Sequence, residues 1–121
     1  PDLLDRPARM HAEIMGSQGN PYYDAPTVVL VFAPADSRNA VQDASCVLEN
    51  MMLAAHALGL GSCWINREIE MFRTSEGHDL MVRELGLPEG LTGVGAISLG
   101  YPDGAVSPCK PRKEGYVRIV R

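Results

Sequence analysis

Most of the patterns that mark a familiar site are missing from this sequence. Its three cysteines, Cys46, Cys63 and Cys109, are odd in number and widely spaced, with no C-x-x-C pair. That speaks against a disulfide framework or a thiolate zinc site and makes a reducing cytoplasm the expected setting. The histidines His11, His56 and His78 fall at no metal-ligating interval, so no metal is expected. Ser62, in Gly61-Ser62-Cys63, lacks the G-x-S-x-G elbow of a serine hydrolase. No apolar run is long enough to span a bilayer, and the first residues carry no secretory pattern. Nor is there a long basic tract: eleven Lys and Arg face fifteen Asp and Glu, for a net charge of −4. Neither nucleic acid nor a membrane surface is therefore an expected partner.

What is present is ordinary globular material: 121 residues, 45% hydrophobic, enough for one domain. Residues 1–15 read as an amphipathic helix closed by Gly16. Pro21 and Pro26 hold the following stretch out of a helix, and the β-branched run 27–33 reads as a central strand covered on both faces. Residues 39–58 form the clearest helix. Asn39 is its expected N-cap, with Gln42 three residues on, and Ala44, Val47, Leu48, Met51, Met52, Ala55 and Leu58 make one apolar stripe. Leu53, Ala54 and Ala57 add a second apolar face, which points to packing on a partner as well as on the core. Gly59 is placed for a left-handed C-terminal cap closed by Leu60. A short strand at 63–65, a helix over 75–85 ended by Gly86 and Pro88, and strands at 93–99 and 115–120 complete an α+β pattern.

Two segments invite a ligand. In Pro108-Cys109-Lys110-Pro111-Arg112-Lys113, three cations fall within four residues of an acidic chain, and proline favours an extended backbone. Lys110 and Arg112 then share a face suited to a phosphate, although a solvated loop would carry the same residues. In Gly61-Ser62-Cys63-Trp64-Ile65-Asn66, small residues permit close backbone approach. Trp64 or Ile65 can cover a planar ring, and Asn66 can both donate to and accept from its edge. A core strand with a buried tryptophan would read the same way. With no cation or histidine beside it in sequence, Cys63 is expected to be an inert buried thiol. Gly93-x-Gly95 resembles part of a dinucleotide fingerprint, but the residues after Gly95 are strand-like rather than helical, which removes that reading.

Taken together, Ala25-Pro26 before an apolar strand, the stretch from Glu49 to Trp64 ending in Gly59-Leu60-Gly61-Ser62-Cys63-Trp64, then Leu99-Gly100-Tyr101-Pro102 and Lys110-Pro111-Arg112-Lys113 resemble the nitroreductase family of flavin enzymes. The resemblance implies an α+β fold with a mostly antiparallel central sheet flanked by helices, in an intertwined homodimer with FMN at the interface. It implies NADH or NADPH as hydride donor and a nitroaromatic, quinone or similar electrophile as acceptor. Lys110 and Arg112 would contact the flavin phosphate, and Trp64, Ile65 and Asn66 would lie by the isoalloxazine. The tail from Tyr116 to Val120 would reach onto the partner. No catalytic side chain is expected, because the chemistry belongs to the cofactor. The family's arginine-rich R-R-S-x-R start has no counterpart, since Arg6-Pro7-Ala8-Arg9 does not match it. Residues 1–121 are therefore expected to be one nitroreductase-like domain lacking its N-terminal helices. A remnant of the same fold that binds flavin without turnover, or a dimeric scaffold, is the alternative.

Overall fold

The computed structural model describes residues 19–105 and 108–120, together with Arg9, Ala12, Glu13 and Gly16. The expected N-terminal helix lies largely outside that set; Arg9, Ala12 and Glu13 are helical. Strand β1 spans Thr27–Pro34, helix α1 Ala40–Ala57 and strand β2 Gly61–Ile65. Two short helices come next, α2 at Glu68–Phe72 and α3 at Ser75–Asp79, the latter running on as a π-helical turn over Leu80–Glu84. Strand β3, Leu91–Gly100, closes the sheet.

The strand order is β1-β3-β2, with β3 antiparallel to both neighbours. The central strand is thus β3, and β1, expected in the middle, is an edge among the described residues. Composition accounts for the exchange: β3 carries Gly93, Gly95, Ala96 and Ser98, all buried, and these small side chains let packing layers close on both faces. A β-carbon on Gly95 would lie 2.7 Å from Trp64 Nε1 and 3.1 Å from Leu48 Cδ1; one on Gly93 would lie 2.7 Å from the Phe72 ring. Between the two glycines, Val94 has no partner on β1, because the register jumps from Val31–Gly95 to Phe32–Gly93. That one-residue bulge turns Val94 into the helix-facing core.

On one face, α1 lays Ala40, Ala44 and Leu48 against Ala33, Val94 and Ile97, with Met51, Met52 and Trp64 around them. On the other, Met71 and Phe72 of α2 and Leu80 and Met81 meet Leu30, Phe32 and Leu87, and Phe32 and Phe72 contact edge-to-face at 5.1 Å. Beside them Tyr22, 1% exposed, packs with Ile65 and Ala96, and its carbonyl accepts the Ser98 hydroxyl at 3.0 Å.

The C-terminus of α1 forms as its residues predict. Gly59 takes φ 75°, its N–H donates to the His56 carbonyl, and the Leu60 N–H donates to the Ala55 carbonyl at 2.9 Å. Those two bonds form a Schellman cap. Asn39 does occupy the N-cap position, but its side chain makes no capping bond. The stripe is narrower than expected: Val47 is 48% exposed and Leu58 76%, and Leu53, expected on the second face, is 60% exposed. Residues 116–120 form no strand; they run exposed, with nothing in the sheet beside them.

Candidate functional site

Two of the expected site residues lie at the end of β2, on opposite faces of the sheet. Trp64 sits on the α1 side, its indole between Leu48 and Gly95, and its Nε1–H is buried with no acceptor among the described residues. A buried N–H almost always has a partner, so this donor marks a position where one is required. Ile65 turns to the other face and is 4% exposed against Tyr22 and Ala96. Its side chain is core, which leaves only its backbone for a ligand. Asn66 is exposed just past the strand, and its carbonyl accepts the Ile69 N–H at 3.4 Å as the chain turns into α2.

The cationic residues lie on the tail. Lys110 and Arg112 are exposed, and neither is ion-paired among the described residues. Arg112 and Lys113 line a cleft of about 600 Å³ together with Tyr116 and Val117. The sequence places Tyr116 only as a strand residue; an aromatic four positions after Arg112 is the available signal for its place in the wall. Among the described residues, Trp64, Ile65 and Asn66 do not line this cleft. The chain thus brings Arg112 to an aromatic ring and leaves the tail and the end of β2 as separate half-sites. Guanidinium, ammonium and an aromatic face suit a phosphorylated heteroaromatic, and the unmatched indole donor suits its polar edge. The residues present fit FMN.

A second, shallower cleft of about 350 Å³ lies at the opposite end of the strands, between Tyr22–Pro26, Gly61–Cys63 and Ser98–Tyr101. Tyr23 and Asp24 there adopt positive φ, 57° and 55°, in a turn tied by Asn20, which donates to Asp24 and accepts the Tyr22 N–H. Cys63 is exposed at this rim rather than buried, on a strand that is an edge among the described residues. Cys46 and Cys109 are exposed and free as well. No cluster of His, Cys, Asp or Glu able to hold a metal exists among the described residues.

The comparisons with known proteins concern the family and the fold. The model of the Nitroreductase family matches residues 4–101. A nitroreductase from Bacteroides fragilis, crystallised with bound FMN, is 32% identical. Its structure superposes with a TM-score of 0.80 over 99% of this chain and 69% of that one. A nitroreductase from Desulfitobacterium hafniense, at 20% identity and a TM-score of 0.78, shares the fold. A candidate NADH dehydrogenase/NAD(P)H nitroreductase of Archaeoglobus fulgidus is 39% identical over 62 residues, which are 51% of this chain and 33% of that protein. The matched stretch thus spans about a third of that curated relative. With its three-stranded antiparallel sheet flanked by helices, the chain belongs to the nitroreductase family.

Proposed function

We propose that the chain, as one nitroreductase-like domain over residues 1–121, serves an FMN-dependent oxidoreductase that takes electrons from NADH or NADPH and gives them to a small electrophile such as a nitroaromatic or a quinone. The observation that carries this reading is the cleft in which Arg112 and Lys113 meet Tyr116, on a chain 32% identical to a nitroreductase crystallised with FMN. When bound, FMN supplies hydride acceptance and release at its N5, so that donor and acceptor react in turn at one place.

The chain's own residues bind and orient. Lys110 and Arg112, spaced by a proline, present a point charge and a planar fork to the phosphate. The Asn66 amide offers donors at the end of β2, where Ile65 anchors the chain in the core, and the Trp64 indole N–H, buried against Gly95, is a further donor without an acceptor among the described residues. In this proposal none of these groups needs to accept a proton.

The working unit in this proposal is a homodimer with FMN between protomers. Supporting it are the apolar residues that the chain leaves exposed: Val41, Val47 and Leu53 on α1, Leu58 at its C-cap, and Tyr116, Val117, Ile119 and Val120 on the tail. A reducing, cytoplasmic setting suits the three free cysteines. No helix among the described residues is long and apolar enough to cross a membrane.

The test is the visible spectrum. The purified protein should take up FMN with flavin absorbance, and NADH or NADPH should bleach it under argon. Lys110→Ala with Arg112→Ala should weaken FMN binding by about a hundredfold or more, as expected for losing two charge-assisted bonds. Protein that takes up no FMN would end the enzyme reading, and flavin that neither donor bleaches would favour the non-catalytic remnant.

A further inference from the structure

We draw no further inference here: the strongest candidate, the shallow cleft that Tyr23, Asp24 and Tyr101 rim beside the start of β2, offers one exposed carboxylate and one exposed thiol, Cys63, and nothing in the structure shows what covers it.

Discussion

At Thr74 one hydroxyl serves two backbone groups. It donates to the Met71 carbonyl at 2.7 Å and accepts the Gly77 N–H at 3.1 Å, ending α2 and capping α3. Thr74→Ala should destabilise the fold by about 1 kcal/mol, the usual worth of an N-cap, read as a lower urea midpoint with unchanged slope. Two residues on, the Glu76 carboxyl is held below its ordinary range, first by a backbone N–H and then by the Ser75 hydroxyl. A depressed folded-state pKa contributes stability above the ordinary carboxylate range, and that stability disappears as pH falls through the lowered value. Because Glu76 is fully exposed, the effect belongs to titration more than to stability. Ser75→Ala should move its NMR midpoint back towards the ordinary value, and an unmoved midpoint would refute the assignment. The opposite kind of residue is Gly95, where the constraint is space. Gly95→Ala would press a methyl onto Trp64 Nε1 and Leu48, and it should shift the emission of the chain's one tryptophan and cost about 1–3 kcal/mol.

At the scale of elements, helix α1 separates what is local from what is not. Its C-terminus was legible because Gly59 and Leu60 carry the Schellman signal in their own identities, while its N-terminus was misleading because Asn39 stands at the cap without bonding there. Sequence period could mark Val47 and Leu58 as apolar, but not whether the sheet was wide enough to cover them. It is not, and the face stays open. The same limit hid the order of the strands. A run such as Val28–Phe32 reads as buried on both faces, yet the centre went to β3, whose small residues admit both layers. Helix α2 escaped notice because five residues hold too little period. Of the candidate site, the cations on the tail were legible as a break in an acidic chain, whereas the cleft that Arg112 and Lys113 line with Tyr116 and Val117 is a three-dimensional feature that spacing alone does not give. The open face of α1 makes a paired prediction. Ala54→Glu, amid Val47, Asn50 and Leu58, should leave the intrinsic stability of the chain within about 0.5 kcal/mol but shift sedimentation towards monomer. Leu48→Ala, at 0% exposure, should cost about 2–5 kcal/mol.

For the whole molecule, the question is what completes a chain that leaves so large an apolar surface in water. The exposed tail residues Tyr116, Val117, Ile119 and Val120 are each about four-fifths exposed, and α1 adds three more large side chains. Single exposed apolar residues are common, but contiguous ones mark an interface. If the tail and α1 are buried between copies, folding is linked to association, and the melting temperature must rise with protein concentration. Removing residues 115–121 should then do two things together. It should flatten the concentration dependence, because the arm no longer adds to the interface, and it should lower FMN retention, because Tyr116 and Val117 leave the cleft that Arg112 shares with them. The core clusters around Leu48 and Phe72 do not include the tail, so far-ultraviolet circular dichroism at high concentration should be preserved. Calorimetric scans across a hundredfold range of concentration, with flavin absorbance read on the same samples, decide it. A truncated chain that melts, associates and holds FMN like its parent would show that the tail belongs neither to the interface nor to the flavin site.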